Sequence, residues 1–167
     1  MLGRIFISNL SNQGYKVIST PSGFPPSRKR HKKGTHMVLG IGFDSVQIAR
    51  IESALKRFGE RFKRRCFTDE EWALSLTRTK QAATLAKRFA AKEACAKALG
   101  TGIGAGICWR DIEVTKKESG AIGLSLHNTA SKILHSFHIP TGFTPQVHVS
   151  LSDDETRAFA QVIVSAY

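Results

Sequence analysis

The chain has 167 residues, of which 41% are hydrophobic, and it carries a formal net charge of +12. It is long enough for one domain with a substantial core, and no apolar run approaches the roughly 20 residues that a membrane-spanning helix requires. Its three cysteines form no CxxC pair, which argues against a disulfide framework or a zinc site and favours a reducing, cytoplasmic setting.

The positive charge is concentrated at the start of the chain. Residues 1–36 hold seven of the 25 Lys and Arg residues and no Asp or Glu. They have little apolar surface to bury, so we predict a disordered basic leader there and a working domain at residues 37–167. Four origins are open for the leader: a cloning remnant, suggested by Gly34-Thr-His-Met37, a misassigned start, an organellar targeting segment, or a basic arm for RNA or membrane.

The first half of the predicted domain contains one strand followed by helices. Residues 38–43 are apolar and bounded by glycine, which predicts a buried strand that ends at Asp44. Ser45 is placed to cap a helix that runs to about Gly59. A capping box at 68–71 begins a short helix, and an alanine-rich helix follows from residue 79 or 80 to Leu99.

The second half changes to a period of two after a glycine-rich loop. Residues 111–116 alternate as a half-exposed strand does, and residues 122–126 return as its partner. Asn128 is placed to cap a helix to Phe137, and residues 146–152 and 158–164 form a predicted antiparallel hairpin. The expected fold is therefore α+β, an antiparallel-rich sheet packed against one long helix.

Two acidic residues are candidates for a cation site. Asp44 follows the first predicted strand, where it either stabilises a helix N-terminus or faces a site at the end of the sheet. Glu93 lies at the edge of the apolar face of the long helix, where a carboxylate needs a cation or several donors. It either pairs with Lys97, four residues on, or joins Asp44 in binding Mg²⁺, which prefers one or two carboxylates together with water and phosphate oxygens.

Three further features have both a structural and a functional interpretation. Gly100-Thr-Gly-Ile-Gly104 matches neither a Walker A loop nor a dinucleotide fingerprint, so it is either a helix C-cap or a point where a ligand approaches the backbone. His148 shares a strand face with Ser150 and Ser152, which favours a structural histidine. The basic run 61–65 is a solvated face or a docking patch for an acidic partner.

Several separated motifs together resemble one family. From residue 37 to residue 167 the chain is similar to the small bacterial holo-acyl-carrier-protein synthases, which are 4'-phosphopantetheinyl transferases. The matching segments are Gly40-Ile-Gly-Phe-Asp44, Ile48-Ala-Arg-Ile51, Phe67-Thr-Asp-Glu-Glu71, Arg88-Phe-Ala-Ala-Lys-Glu-Ala94, Lys97-Ala-Leu-Gly-Thr-Gly-Ile-Gly104, Asp111-Ile-Glu-Val114 and His148-Val-Ser-Leu-Ser152.

The resemblance implies an activity and its partners. The reaction would be the Mg²⁺-dependent transfer of 4'-phosphopantetheine from coenzyme A to a serine of acyl carrier protein, for fatty acid biosynthesis. The other product would be adenosine 3',5'-bisphosphate. The resemblance also implies a homotrimer with coenzyme A between neighbouring subunits, and a basic helix around Arg50 that receives the acidic carrier protein.

By motif position, the resemblance also assigns roles to individual residues. Asp44 and Glu93 would hold the metal, and the catalytic set would be Asp44, Glu93, Lys97 and Asp153. The residues expected at coenzyme A are Arg88, Lys92, Lys97, Gly100, Thr101, Gly102 and His148. The family often has a histidine where this chain has Asp153, so we expect Asp153 to act through Mg²⁺ or a bound water. The general base is open between a magnesium-bound water and a nearby carboxylate.

Two other functions compete with this interpretation. A nucleic-acid-binding module is suggested by the basic runs 28–33 and 61–65, but the globular part has no nucleic-acid motif and few aromatic residues near these runs. A non-catalytic coenzyme A-binding scaffold would follow if Asp153 disables the site. No membrane association is expected.

Overall fold

The structure is a computed structural model that describes residues 36–104, 106–116 and 120–167. The predicted disorder of the leader lies outside the described residues and stays a prediction. Along the described ranges the elements are β1 (Met37–Gln47), α1 (Ile48–Phe58), α2 (Glu60–Cys66), α3 (Asp69–Leu76), α4 (Gln81–Ala98), a 3₁₀ turn (Trp109–Asp111), β2 (Ile112–Lys116), β3 (Ile122–Leu126), α5 (Asn128–Ser136), β4 (Pro145–Asp153) and β5 (Arg157–Ala166).

Two antiparallel sheets form the framework. β1, β5 and β4 make a three-stranded sheet with β5 in the centre, and β2 pairs with β3 in a separate hairpin. α4 packs on the inner face of the larger sheet, where Val162 and Val164 of β5 are completely buried. This arrangement confirms the predicted α+β fold class, and it confirms the β4–β5 hairpin with strands two and three residues longer than expected.

α4 lies very close to β1 because both surfaces are made of small residues. Ala94 and Ala98 of α4 face Gly40 and Gly42 of β1. A methyl group added at Gly42 would overlap the Ala94 carbonyl oxygen and lie 2.8 Å from the Ala98 nitrogen, and one at Gly40 would overlap the Ala98 carbonyl oxygen. Only residues without a side chain therefore permit this approach.

β1 is longer and more exposed than predicted. It continues past Asp44 because every residue up to Gln47 pairs with β5. Asp44 therefore lies within a strand, and Ser45 caps no helix; its Oγ instead accepts a hydrogen bond from Arg157 Nη1 at 3.0 Å. The outer face of β1 is not buried, since Ile41 and Phe43 are 62% and 58% exposed.

The helices follow the sequence signals except at two points. The predicted capping box is present at Thr68 and Glu71, and α4 has its predicted extent to within two residues. α2 was not predicted, although Glu60 is spaced to pair with Lys63 and with the residue after it. Asn128 does not cap α5, because its side chain donates to an Asp111 carboxylate oxygen at 2.9 Å. Of the helices in the described ranges, none has the length and hydropathy that crossing a bilayer demands.

Candidate active site

Asp44 and Glu93 line the same cavity. Asp44 comes from β1 and Glu93 from α4, and the glycine contacts described above hold these two elements together. The cavity has a volume of about 370 Å³, and its lining also includes Arg50 of α1 and the rings of Phe62 and Phe89. We call it the carboxylate cavity. The structure therefore brings together the two acids that the sequence analysis paired.

Lys97 contacts Asp44 and not Glu93. Its Nζ lies 2.7 Å from Asp44 Oδ1 and donates to the Phe43 carbonyl oxygen at 3.2 Å. The ordinary helical pair between Glu93 and Lys97, which the sequence left as one alternative, is therefore not the contact that Lys97 makes. Half of the Lys97 side chain is exposed, so its ammonium group can also contact an anion that binds beside Asp44.

Glu93 is held by a tryptophan. Trp109 Nε1 donates a hydrogen bond to Glu93 Oε1 at 2.9 Å. Partial burial raises the pKa of Glu93. The hydrogen bond from Trp109 lowers this pKa, the nearby Asp44 charge raises it, and the Lys97 charge lowers it. A carboxylate whose ionised form is disfavoured in this way is stabilised by a cation placed beside it.

The donor set fits a hard divalent cation. Lys97 occupies one oxygen of Asp44 and Trp109 one oxygen of Glu93, while the second oxygen of each carboxylate bonds to no donor in the part of the chain that the structure describes. Among these residues there is also no cluster of three or more metal-binding side chains. A cation here would therefore complete its shell with water and ligand oxygens, as Mg²⁺ prefers.

A second cavity, of about 580 Å³, shares Glu93 with the first. Its lining includes Arg64 and Arg65 of α2, Arg110, and the indole of Trp109. We call it the arginine cavity. Three guanidinium groups in a cavity that reaches Glu93 suit a ligand that carries several negative charges. In the sequence, Arg64 and Arg65 appear only as part of a basic run, because the helix that carries them, α2, was not predicted.

The backbone N–H groups of the glycine-rich loop, residues 100–102, cap the C-terminal end of α4. The N–H groups of Thr101 and Gly102 both donate to the Ala96 carbonyl oxygen, at 3.2 and 3.0 Å, and that of Gly100 donates to Lys97. Gly100 and Gly102 have φ angles of 82° and 68°, which favour glycine. The helix C-cap is thus the alternative that the structure shows, and a role for residues 100–102 at coenzyme A stays a prediction.

Arg88 lines a different cavity. This third cavity, of about 360 Å³, is lined by α4 on one side and by β4 with parts of α3, β2 and β3 on the others, and its lining includes four cations: Arg78, Lys87, Arg88 and Lys116. We call it the α4–β4 cavity. Arg88 is only 6% exposed, its Nη1 donates to the Thr84 carbonyl oxygen at 3.1 Å, and its Nε has no partner among the described residues. Burial lowers the pKa of Arg88, so an anion in this cavity would stabilise its charged form.

Asp153 lies beside the α4–β4 cavity as well. Its Oδ1 accepts a hydrogen bond from Lys87 Nζ at 2.6 Å. Within one chain the structure therefore does not bring Asp153 to the carboxylate cavity, because its strand ends on the opposite edge of the larger sheet from β1. The expected role of Asp153 at a cation held by Asp44 and Glu93 does not fit this geometry for a single subunit.

Comparison with known proteins identifies the family of this chain. Residues 40–159 match the model of the 4'-phosphopantetheinyl transferase superfamily. The chain belongs to this superfamily. A holo-acyl-carrier-protein synthase of Rhizobium leguminosarum bv. trifolii is 47% identical over 130 residues, which cover 78% of this chain and 96% of that protein. One of Methylobacterium sp. is 50% identical over 130 residues, with the same two shares.

Solved structures of transferases from this family have the same fold. The holo-acyl-carrier-protein synthase of Neisseria meningitidis superposes with a TM-score of 0.67 at 38% identity, over 77% of this chain and 98% of the other. That of Bacillus anthracis, in complex with CoA (3',5'-ADP), has a TM-score of 0.61 at 32% identity, over 77% and 97%. These relatives confirm the predicted family and enzyme class.

Two other residues predicted at coenzyme A lie away from the carboxylate cavity of the transferase. Lys92 is completely buried; its Nζ lies 2.7 Å from Glu71 and donates to the Trp109 carbonyl oxygen at 3.0 Å. A ligand contact does not fit this position, because the ammonium group is enclosed in the core. His148 is exposed on the outer face of the larger sheet, where its Nε2 lies 3.0 Å from Ser165 Oγ.

Proposed function

We propose that this transferase moves 4'-phosphopantetheine from coenzyme A to a serine of acyl carrier protein in a Mg²⁺-dependent reaction. The observation that carries the proposal is the pair Asp44 and Glu93 at one cavity with Lys97 beside them, in a chain of this family. Relatives with holo-acyl-carrier-protein synthase names support the acceptor. The structures of the Bacillus anthracis and Helicobacter pylori proteins, solved with coenzyme A or its 3',5'-ADP part, support the donor.

In the proposed reaction, the serine oxygen of the carrier bonds to the β-phosphorus of coenzyme A. The P–O bond of the diphosphate breaks, its electron pair leaves with adenosine 3',5'-bisphosphate, and the serine proton is released. Such transfer depends on positioning and on neutralising charge. Asp44 and Glu93 would hold Mg²⁺, which when bound offsets the negative charge on the diphosphate oxygens. Lys97 would contact the same oxygens. Because the serine of the carrier is the nucleophile, this chain needs none of its own.

We also propose a homotrimer in which coenzyme A lies between the carboxylate cavity of one copy and the α4–β4 cavity of its neighbour. The separation of these cavities within a single chain supports this arrangement, since the two sets of predicted residues do not meet there. The exposed Ile41 and Phe43 of β1 support it too, because they adjoin Ile163 of β5 on the outer face of the larger sheet. A neighbouring copy would bury this apolar surface.

The acidic carrier protein would dock on α1 and α2. α1 ends with Lys56 and Arg57, and the last turn of α2 holds three further basic residues. Arg50 lies on α1 and lines the carboxylate cavity, so a carrier bound there would present its serine next to the site. Charge complementarity of this kind accelerates association and selects the partner.

We place this activity in fatty acid biosynthesis in the cytoplasm. The acceptor implied by the relatives' names supports the pathway. The location is supported by the cysteines, all three of which are unpaired, since reduced thiols are typical of that compartment.

Mass spectrometry of apo acyl carrier protein tests the proposed reaction directly. Incubation with the enzyme, coenzyme A and Mg²⁺ should increase the carrier mass by one phosphopantetheine arm. Asp44→Asn and Glu93→Gln should abolish the increase, whereas Glu70→Gln should not, because that carboxylate is exposed on α3. No mass gain with the wild-type protein would overturn the proposal, and coenzyme A binding without a mass gain would favour the scaffold alternative.

A mixture of two inactive variants tests the shared site. Glu93→Gln disables the carboxylate cavity, and Arg88→Met disables the α4–β4 cavity while preserving most of the side-chain volume. If the site lies between copies, mixed trimers contain interfaces in which both halves are intact, and roughly a quarter of the wild-type rate should return. A mixture that stays as inactive as its components would contradict the shared site.

A further inference from the structure

We propose that Trp109 is a positioning residue, which orients Glu93 for the divalent cation and is itself fixed by the buried pair of Lys92 and Glu71. The inference rests on the proposed function, because it takes Glu93 as a ligand of that cation. No motif in the sequence predicts a functional role for Trp109. The inference comes from its contacts in the structure.

Trp109 is attached to two consecutive residues of α4. Its indole N–H donates to Glu93 Oε1 at 2.9 Å, and its carbonyl oxygen accepts from Lys92 Nζ at 3.0 Å. The main chain and the side chain of Trp109 are thus both bound to the helix that carries Glu93. A movement of the 3₁₀ turn would change the direction from which the indole meets the carboxylate.

The plane of the indole is also fixed. The Phe89 ring, one turn before Glu93 on α4, stacks on Trp109 with centroids 5.9 Å apart and an interplanar angle of 27°. The Arg65 guanidinium lies 5.2 Å from the centroid of the indole. Stacked and cation–π contacts of this kind are attractive, so the indole N–H has one favoured direction.

The anchor behind Trp109 is an ion pair with no exposed atoms. Lys92 Nζ lies 2.7 Å from Glu71 Oε2, and both side chains are completely buried. Glu71 accepts two further hydrogen bonds, from the amides of Thr68 and Val114, each at 2.9 Å. Because α3, α4 and β2 all contribute to this network, Lys92 cannot follow Trp109 if the turn moves.

These contacts bear on how Glu93 meets a cation. Trp109 occupies one carboxylate oxygen and leaves the other for the metal, so the side chain is ordered before the ion arrives. A ligand that is already ordered loses less conformational freedom on binding. Removing the partner that orients a metal ligand typically weakens metal binding 10–100-fold. Loss of the Trp109 N–H should therefore weaken cation binding more than it destabilises the fold.

Manganese binding in the presence of coenzyme A tests this role. Free Mn²⁺, measured by its electron paramagnetic resonance signal, reports the affinity without any turnover. Trp109→Phe keeps the ring between Phe89 and Arg65 but removes the donor, and we expect roughly 10-fold weaker Mn²⁺ binding. Trp72→Phe is the matched control, since that ring lies 5.2 Å from Lys63 Nζ on the α3 side; its Mn²⁺ affinity should equal that of the wild type.

A measurement on the wild-type protein covers the case in which Trp109→Phe folds poorly. The chain has two tryptophans, so a ¹⁵N-labelled sample gives two indole N–H resonances. Mg²⁺ titrated into protein already saturated with coenzyme A should shift the Trp109 resonance in proportion to site occupancy and leave the Trp72 resonance in place. A folded Trp109→Phe protein with wild-type Mn²⁺ affinity, or a Trp109 resonance that ignores Mg²⁺, would overturn the inference.

The outcome is distinguishable from failure of the proposed function. If the wild type transfers the arm but Trp109→Phe binds Mn²⁺ normally, only the positioning role is wrong. If the wild type binds Mn²⁺, Trp109→Phe weakens it, and no arm is transferred, the positioning role holds and the proposed reaction is wrong.

Discussion

Gly42→Ala should separate β1 from α4 and thereby weaken both the fold and the cation site. The added methyl group would overlap the Ala94 carbonyl oxygen and lie 2.8 Å from the Ala98 nitrogen, where ordinary contacts begin at 3.4 Å. Both atoms belong to the main chain of a helix, so no flexible side chain can move aside. Overpacking in a core typically costs 1–3 kcal/mol, and the rigid neighbours here suggest about 3 kcal/mol.

Thermal unfolding measured by circular dichroism tests the stability part of this prediction. A loss of about 3 kcal/mol corresponds to a decrease in Tm on the order of 10 °C for a domain of this size. Gly142→Ala is the matched control: Gly142 has a φ angle of 90° but nothing within 4 Å of an added methyl group, so only backbone strain of about 1–2 kcal/mol applies. Mn²⁺ affinity should fall for Gly42→Ala, because Asp44 and Glu93 move apart, and should not fall for Gly142→Ala.

One result would refute this reasoning. If Gly42→Ala melted no lower than Gly142→Ala and bound Mn²⁺ as the wild type does, close packing of β1 on α4 would not be what holds the two carboxylates together.

Three other predictions follow from the burial of individual groups. Glu93→Gln should raise the Tm even though it abolishes transfer. The pKa of Glu93 is raised in the folded state from its ordinary value of 4.5, so the wild-type protein loses stability as the pH rises from that value through the folded-state pKa. The Tm gain of the variant should therefore appear above about pH 4.5 and then level off. Lys92→Met should cost about 3–5 kcal/mol in urea unfolding, because it leaves Glu71 buried without its cation, and the double variant with Glu71→Gln should recover part of that loss. A disulfide reagent should modify Cys108 quickly in the native protein, and the two buried thiols only in denaturant; fast reaction of all three would contradict their burial.

Burial disfavours the charged form of two cysteine thiols, as it does for the carboxylate of Glu93. Burial raises the pKa of Cys66 to about 11 and that of Cys95 to about 12. Since the thiolate is the reactive form, both cysteines should act as small apolar residues of the core. From the sequence, Cys95 in a helix and Cys108 near a strand are predicted to be buried; Cys95 is buried, whereas Cys108 is exposed, so the second prediction was wrong.

Elements whose signals lie within a few residues of one another were predicted well. The capping box at 68–71, the end of α4 at its glycine and the β2 and β4–β5 patterns all depend on local periodicity or local hydrogen bonds. β1 was cut short, because its extension to Gln47 depends on pairing with β5, more than a hundred residues later. α2 was missed because its strongest local signal is charge, which also fits a solvated loop.

The candidate site also combines features that local sequence predicts with features that depend on tertiary contacts. The residue types and the order of the motifs, compared with a known family, identified Asp44, Glu93 and Lys97 from the sequence alone. Their arrangement depends on tertiary contacts: Lys97 bonds to Asp44 across 53 residues of chain, Lys92 is enclosed by Glu71, and Arg88 lines another cavity. A helix position shows which face a side chain is on, but burial and the identity of its partner depend on what packs against that face. Only the folded chain sets these, because the packing surfaces come from segments that are distant in sequence.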